Sequence, residues 1–389
     1  MRIAFLCKQR YMGKDVIADR YARLYEIPYQ LARAGHELLG ICLSYYPVQP
    51  GEWVHEAGAG PLRWISRSLP PPWIPALTAY PFRVLADLKA FGPDVVVSAS
   101  DIPHMALGAW LAGRLRVPLV LDFYDNFESF GQARIPGMKS ALQGAARRAA
   151  LITTTSSLLA DYVRESYQTR GEIMAMPSTV DRAVFKPLDR AVSRAALGLP
   201  ANAQLIGTAG GLYRDKGIGT VYEAWRKLAA VDSNIHLVLA GPTDKRCPPP
   251  RDSRVHYLGM LEHSKVATLF SALDVGIIYL RDTDFGRYCF PQKAYEMLAC
   301  GLPVVAGKVG ATAELFATTP QALYEPDDAA QLARTIRGQL DQPARPEVSI
   351  QDWAQIIGTL ERRLVDVVKD HRGRHTPPLG PTAKHKRQR

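Results

Sequence analysis

The feature that most constrains the fold is a regular alternation of short apolar runs with helical patterns along nearly the whole chain. The runs are continuous and rich in β-branched residues, which is typical of strands covered on both faces. They lie at residues 3–7, 38–43, 94–98, 119–123, 151–154 and 173–176, and then at 205–209, 235–240, 255–258, 275–279 and 303–306. Strands that alternate with helices predict parallel sheets joined by crossover helices.

The alternation is interrupted once, by a polar stretch rich in helix breakers between residues 178 and 204. A chain of 389 residues also exceeds what one hydrophobic core usually serves. We therefore expect an α/β protein with two doubly wound, Rossmann-like domains, at residues 1–185 and 200–349, that face each other across a cleft. A helix at 350–370 could cross back over the joint, and a basic tail at 371–389 is expected to be disordered.

Charge and cysteine content exclude several classes of protein. Six of the net +11 charges come from the tail, and no nucleic-acid motif accompanies them, so no nucleic-acid partner is expected. The five cysteines are scattered and never form a C-x-x-C pair, which argues against a disulfide framework or a zinc site. Neither a leader peptide nor an apolar run of membrane-spanning length is evident. These features predict a cytoplasmic protein, with peripheral attachment to the inner face of the membrane as a further possibility.

The segment from Phe290 to residue 307 reads as a short helix followed at once by a strand. Pro291 stands at the helix start and a glycine stands just past its end. Lys293 and Glu296 are three residues apart, so they share one face near the positive end of the helix. A carboxylate there can accept hydrogen bonds from both hydroxyls of a ribose, while the helix start suits a diphosphate. A surface Lys–Glu pair without a binding role is the alternative.

A second candidate phosphate site lies at residues 207–219, where a strand ends in a glycine turn that carries basic residues. Gly210 and Gly211 form the turn, and Arg214 and Lys216 follow it before a helix. Breaking a sugar–phosphate bond leaves negative charge on the departing diphosphate, which a cation stabilises. For Arg214, an exposed loop charge is an equally good interpretation.

Polar residues also follow strands of the first half. Asp122, Asp125 and Glu128 cluster at the end of one strand, and His104 follows the preceding strand. Asp125 is our first candidate for contact with the sugar or the acceptor, and His104 is the second. A loop hydrogen bond for Asp125 and a partly buried histidine with satisfied ring nitrogens for His104 are the alternatives.

Several segments, in this order, resemble the retaining GT-B glycosyltransferases of glycosyltransferase family 4, the group 1 transferases. These segments are GHEL, PDVVVSASDIPH, VPLVLDFYDN, ALITTTSSLL, PSTVDRAVFKP, GGLYRDKG, LVLAG, VHYLGML and the helix FPQKAYEMLACG. The resemblance implies two Rossmann-like domains, with the acceptor on the first and the nucleotide sugar on the second. It also implies that Glu296 holds the ribose and that Lys216 contacts the diphosphate.

The chain departs from the family pattern at two positions. The first acid of the family's Glu-x7-Glu pair would fall on Tyr288, so the Pro-x-Lys-x-x-Glu subgroup is the better match. The family's arginine would fall on Gly211, and Arg214, or more distantly Arg287, could replace it. Three groups could replace the missing acid: Asp282, Asp284, and the backbone amides near Phe290.

The function predicted from these residues is transfer of a sugar from a nucleotide-sugar donor to a glycan or lipid-linked acceptor in cell-surface polysaccharide or lipopolysaccharide synthesis. No cofactor or metal is expected, although Asp282 and Asp284 allow a metal–diphosphate alternative. A nucleotide-sugar epimerase and a non-catalytic nucleotide-sugar binding protein remain alternatives. A dinucleotide dehydrogenase is excluded because the first turn, CKQRYMGKD, lacks the glycine triplet.

Two acid-free stretches of the first half, residues 57–86 and 129–160, combine arginine with aromatic residues. The first holds Arg63, Trp64, Arg67, Trp73, Tyr80, Phe82 and Arg83, and the second holds Arg134, Lys139, Arg147 and Arg148. Arginines among interfacial aromatics suit a surface that sits on anionic headgroups. We therefore expect this half to dock on the inner membrane face. A long irregular loop whose aromatics cover the sheet is the alternative.

Overall fold

The computed structural model describes residues 1–46, 49–69 and 73–375. The first half contains the strands β1 Arg2–Lys8, β2 Arg10–Tyr11, β3 Lys14–Asp15, β4 Glu37–Ser44, β5 Gly51–Glu56, β6 Pro61–Ser68, β7 Val95–Ala99, β8 Leu119–Phe123, β9 Leu151–Thr154 and β10 Glu172–Ala175. Its helices are α1 Ala22–Arg33, α2 Trp73–Phe91, α3 Ile102–Leu115, α4 Met138–Arg148 and α5 Ser157–Tyr167.

The second half repeats this pattern on a smaller scale. Its strands are β11 Gln204–Ala209, β12 Ile235–Ala240, β13 Val255–Tyr257, β14 Val275–Ile278, β15 Val304–Gly307 and β16 Leu323–Tyr324. Its helices are α6 Arg190–Ala196, α7 Ile218–Val231, α8 His263–Ala272, α9 Asp284–Tyr288, α10 Gln292–Ala299, α11 Gly310–Leu315 and α12 Ala329–Asp341, followed by the terminal α13 Trp353–His375.

The strands form two main sheets, one on each side of the predicted joint. The first sheet has the order β10-β9-β8-β7-β1-β4-β6-β5 and the second has the order β13-β12-β11-β14-β15-β16. Within these two sheets all neighbouring strands are parallel except β5 and β6, which form an antiparallel pair at one edge, and β2 and β3 form a separate antiparallel pair. Helices pack on both faces of each sheet, which explains the continuous apolar runs of the strands.

The first helix contains a proline in its interior. α1 runs unbroken through Pro28, although a proline in the middle of a helix usually kinks or ends it. Burial of Leu24, Ile27 and Leu31 against the sheet compensates for the hydrogen bond that the proline ring removes.

The terminal helix α13 crosses back to the first half. Trp353, Ile357 and Leu364 join the same apolar cluster as Leu24 and Ile27, and the His36 Nε2 atom lies 3.0 Å from Glu361. The helix continues to His375, so residues 371–375 are helical although the sequence analysis assigned them to a disordered tail; residues 376–389 lie outside the described residues. Within the described part of the chain, no helix is both long and apolar enough to cross a membrane.

The described part of the acid-free stretch at 57–86 lies mostly in β6 and α2 rather than in an irregular loop or a fully exposed surface. Trp64 lies in β6 with no exposed area, its ring against Phe5. Gly40 of β4 leaves space for it, since a Cβ atom there would lie 2.2 Å from the indole ring. Tyr80 is also buried. The expectation that Trp64 and Tyr80 reach a membrane surface is therefore wrong, and the side chain of Trp73 lies outside the described part.

Candidate active site

A cavity of about 360 Å³ lies between the two sheets, at the carboxyl ends of their strands. The first half contributes residues that follow β1 and β8, and the second half contributes residues that follow β11 and β14 together with the start of α10. Among its lining residues are Lys8, Asp125, Lys216 and Lys293. The carboxyl end of an open parallel sheet is where such folds bind ligands, so this cavity is the candidate active site.

Two lysines of the second half converge on this cavity. Lys216 ends a short 3₁₀ turn after β11, and its Nζ lies 5.5 Å from the centre of the Phe285 ring. Lys293 lies in the first turn of α10, with its Nζ 5.4 Å from the centre of the Tyr279 ring. Among the described residues, neither ammonium has a carboxylate oxygen within 4 Å. Within the described part of the chain, the cavity therefore offers two cations that form no close ion pair.

Gly210 explains how Lys293 reaches the glycine turn. Its φ of 109° is in the left-handed region, and a Cβ atom there would lie 3.0 Å from the Lys293 Nζ. Burial, helped by the nearby positive charge of Lys216, lowers the pKa of Lys293 to about 8, while Glu296 opposes the shift. The turn and the helix, which the sequence analysis treated as two sites, form one cationic site.

The two proposed stand-ins for the missing family arginine do not line the cavity. Arg214 is exposed, and its backbone N–H donates to the Asp244 carboxylate. Arg287 pairs with Asp282 at 2.5 Å, and both side chains are about half exposed. Lys293 lines the cavity instead, next to the turn that holds Gly211. The sequence motif placed Lys293 near the donor but did not indicate that it takes this position.

Glu296 lies on α10, one turn beyond Gln292, and is only 6% exposed. Its Oε1 accepts a hydrogen bond of 3.3 Å from the Gln292 side chain and lies 3.9 Å from His263 Nε2. Gln292 lines both the main cavity and an adjoining cavity of about 180 Å³, in which Tyr21 of the first half packs edge-on against His263. A ligand hydroxyl that reached Glu296 would replace Gln292 as its donor.

Of the acids that follow β8, the cavity contains only Asp125. Its carboxylate accepts a 2.8 Å hydrogen bond from the Asn126 backbone, and burial raises its pKa to about 6 although that hydrogen bond, Lys216 and Lys8 oppose the shift. Asp122 is instead paired with Arg23 at 2.6 Å, and both side chains are buried. Glu128 accepts a hydrogen bond from Tyr167.

His104 does not reach the cavity. It is 2% exposed, and its Nδ1 lies 2.6 Å from Asp101, whose other oxygen accepts a hydrogen bond from Tyr45. The structure therefore places His104 behind Asp101 and away from the cavity in which it was expected to contact the sugar or the acceptor. Asp101 itself lines a side cavity of about 160 Å³, which shares Lys8 and Tyr124 with the main cavity.

Lys8 is a candidate functional residue that the sequence analysis missed. It ends β1 at the border of the two cavities, and its Nζ lies 5.7 Å from the centre of the Tyr124 ring. Burial lowers the pKa of Lys8, although Asp101 and other acidic groups oppose the shift. Its position directly after a buried strand is the signal that could have identified it.

Tyr288 occupies the position of the missing family acid, and Asp282 and Asp284 were the side chains proposed to replace that acid. Tyr288 packs against Tyr162 of the first half, with 4.8 Å between the ring centres. Asp284 begins the short helix α9, and Asp282 is paired with Arg287 as described above. Among the described residues there is no group of three or more His, Cys, Asp or Glu side chains that could hold a metal ion.

The protein has two α/β sheets that face each other across a cleft, and two lysines suited to a diphosphate converge on that cleft. This is the architecture of a GT-B glycosyltransferase, which uses a nucleotide-sugar donor. Residues 22–179 match the model of the glycosyl transferase 4-like domain, and residues 203–342 match that of the glycosyl transferases of group 1. The chain belongs to this family, the group 1 glycosyltransferases.

Individual relatives agree with this assignment. A D-inositol 3-phosphate glycosyltransferase from Catenulispora acidiphila is 30% identical over 324 residues, or 76% of this chain and 74% of the relative. The enzyme of the same name from Mycolicibacterium smegmatis is 25% identical over 85% of this chain and 81% of its own. Sucrose-phosphate synthase from Thermosynechococcus elongatus has the same fold, with a TM-score of 0.69 at 21% identity over 96% of this chain and 98% of its own.

A structure of Anabaena HepE in complex with UDP also shares the fold. Its TM-score is 0.64 at 19% sequence identity, and the alignment covers 96% of this chain and 98% of the other.

Proposed function

We propose that this glycosyltransferase transfers its sugar with retention of anomeric configuration, without a metal ion, as a member of the Pro-x-Lys-x-x-Glu subgroup. The main support is that Lys216 and Lys293 converge on one cavity and that neither forms an ion pair within 4 Å with a described residue. Two fixed ammonium groups can neutralise the charge that develops on the leaving diphosphate, which is the task that a metal ion performs in other transferases.

We assign the donor ribose to Glu296. In this arrangement the diphosphate lies along Lys216 and Lys293, the nucleoside extends past Gln292 toward His263, and the sugar extends toward Asp125. The buried carboxylate of Glu296 is well suited to accept two hydroxyl donors, because charge-assisted hydrogen bonds are stronger in a site from which water is excluded.

Replacing Glu296 with Gln tests this assignment. We expect the affinity for the matching nucleoside diphosphate to fall by about 1.5–3 kcal/mol, since a hydrogen bond to a charged group is lost. Isothermal calorimetry with UDP, GDP and ADP measures the effect, and Glu223→Gln, on the exposed face of α7, serves as the control. Equal affinities of the wild type and Glu296→Gln would contradict the assignment.

We propose that the acceptor is a glycan or lipid-linked molecule that carries a phosphate, used in cell-surface polysaccharide or lipopolysaccharide synthesis. Two of the relatives named above are D-inositol 3-phosphate glycosyltransferases, and Lys8 lines both the side cavity and the main cavity. Asp125 lines the main cavity and directly follows Tyr124, which lines both cavities, and its carboxylate can accept the hydrogen bond of the attacking hydroxyl. Lys8 would hold the anionic group, and Asp125 would orient the nucleophile.

A lipid-linked acceptor requires contact with a membrane, and we propose that α2 and α3 provide it. Phe82 is 64% exposed and packs edge-on against Trp110, and the Arg114 guanidinium lies 5.2 Å from the centre of the Trp110 ring. Arg83 and Leu77 are exposed on the same helix as Phe82. Exposed aromatics beside arginines suit the headgroup region of an anionic bilayer. This surface replaces the membrane-facing residues around Trp64 that the sequence analysis proposed. The protein would be a cytoplasmic, peripheral membrane protein.

Flotation with liposomes tests this surface. The double substitution Arg83→Ser and Arg114→Ser should weaken binding to vesicles that contain anionic lipid by about 2 kcal/mol, because each arginine near such a surface contributes about 1 kcal/mol. Binding should decline with added salt. The comparison is repeated without residues 376–389, and Arg226→Ser with Arg334→Ser, on the second half, is the matched control. Equal flotation of the wild type and the α2–α3 variant would contradict the proposal.

A further inference from the structure

Helix α5 of the first half contacts α9 and α11 of the second half, directly beside the candidate active site. The Tyr162 ring of α5 lies against the Tyr288 ring of α9, with 4.8 Å between the ring centres and 42° between the planes. At the start of α5, the Ser157 hydroxyl donates to the Glu314 carboxylate of α11, whose two oxygens lie 3.0 and 2.9 Å from it. An aromatic contact and a polar contact therefore join the two halves at this helix.

Tyr288 links the second-half side of the cavity to the first half. Although it belongs to the second half, it packs against the apolar cluster of the first half that includes Phe123. Its neighbours Phe285 and Cys289 both line the main cavity, whereas Tyr288 and Tyr162 do not. A substitution at either tyrosine can therefore reach a ligand in the cavity only through the fold.

Both helices in this contact are tied to the cavity. Gly310 begins α11 with a φ of 52°, and a Cβ atom there would lie 2.2 Å from the backbone oxygen of Arg287, so α11 lies directly against the backbone of α9. On the other side, Thr155 lines the cavity two residues before α5, and its hydroxyl donates to the Tyr124 carbonyl at 3.3 Å. A displacement of α5 from α9 would therefore separate two sides of the cavity.

From these contacts we infer that donor binding is coupled to the docking of α5 on α9, and that Tyr288 is a positioning residue for this coupling rather than a sugar ligand. The inference rests on the proposed function, which places the donor diphosphate against Lys293 in the first turn of α10. Only residues 289–291 join α9 to α10, so a diphosphate that fixes the start of α10 also fixes Tyr288. Docking of α5 on that ring then closes the cleft, and by reciprocity it strengthens donor binding.

Calorimetry on the full-length protein tests this coupling, with whichever of UDP, GDP and ADP binds it. Tyr288→Ala should weaken binding by about 5- to 20-fold, the lower part of the range for coupled sites. Tyr162→Ala, on the opposite half, should weaken it by the same factor, and the double variant should lose no more than either single variant, because both remove one contact. Tyr288→Phe keeps the ring and should bind as the wild type does. Glu165→Ala, at an exposed position of α5, is the matched control.

Hydrogen exchange tests the coupling in the wild type without any substitution. The nucleoside diphosphate should slow amide exchange in α10 and also in α5, although α5 lies on the other half. By linkage, the slowing in α5 should be about as large as the loss of affinity in Tyr288→Ala. In that variant the nucleotide should still protect α10 but no longer α5. A contact with only a structural role would give the same exchange in α5 with and without the nucleotide.

The outcomes distinguish this inference from the function on which it rests. Unchanged affinity in Tyr288→Ala would overturn the inference. So would wild-type affinity in Tyr288→Glu, which restores the family's acid but places a carboxylate against the Tyr162 ring. A nucleotide that protects α10 but not α5 in the wild type would overturn the coupling and leave nucleotide binding intact. Absence of binding by all three nucleoside diphosphates would overturn both the inference and the proposed donor site.

Discussion

Replacing Lys216 with Ala should lower kcat by about 100- to 1,000-fold, the cost of removing one preorganised group that stabilises developing charge. The leaving diphosphate gains negative charge as the sugar bond breaks, so the ammonium interacts more strongly with the transition state than with the bound donor. KM for the donor should therefore change much less than kcat. Steady-state assays of sugar transfer measure both constants.

Two controls make this result specific. Lys227→Ala removes an exposed lysine of α7 whose partner is Glu223 at 3.6 Å, and it should leave kcat unchanged. EDTA should also leave the wild-type rate unchanged, because the two lysines replace a metal ion in the proposed mechanism. Abolition of transfer by EDTA, with recovery on addition of Mn²⁺, would contradict this mechanism and favour Asp282 and Asp284 as metal ligands.

The buried strands of both sheets could be predicted from the sequence because each is covered on two faces. Such strands are continuous apolar runs, so their positions can be found from the local sequence alone. The edge strands β5 and β6 were not predicted, because they lack such a continuous apolar run. β6 carries Arg63 and Arg67 among its apolar residues, and α2 contains Pro81, which argues against a helix in any local pattern. Burial of Val84 and Leu88 against the sheet outweighs that local cost.

The site was predictable where a motif joins a strand end to a glycine turn, and less so where tertiary contacts select one of two similar residues. Asp122 and Asp125 are three residues apart, but Asp122 still belongs to β8 and its side chain meets Arg23 of α1. Asp125 lies past the strand end and lines the cavity. Likewise, Lys293 rather than Arg214 lines the cavity, because the Lys293 side chain extends from α10 to Gly210. The tertiary contacts that separate these residues cannot be found from a local sequence pattern.

The pH dependence of transfer should reflect Asp125 and Lys293, whose pKa values of about 6 and about 8 bracket neutrality. Below pH 6, Asp125 is protonated, so it accepts the hydrogen bond of the attacking hydroxyl only weakly and cannot take up its proton, and kcat/KM should rise as the pH increases through 6. Above pH 8, Lys293 loses its proton and its attraction for the diphosphate, so kcat/KM should fall. A bell-shaped profile of kcat/KM reports groups of the free enzyme, in which these two values apply.

Two variants assign the limbs of this profile. Asp125→Asn should lower kcat/KM by about 100- to 10,000-fold, the usual contribution of a positioned acid or base, and should remove the acidic limb. Lys293→Arg keeps a positive charge that does not titrate in this range, so it should remove the alkaline limb while the acidic limb stays near pH 6. An acidic limb that persists in Asp125→Asn would show that another group controls it, and Asp125 would then have no role in orienting the acceptor.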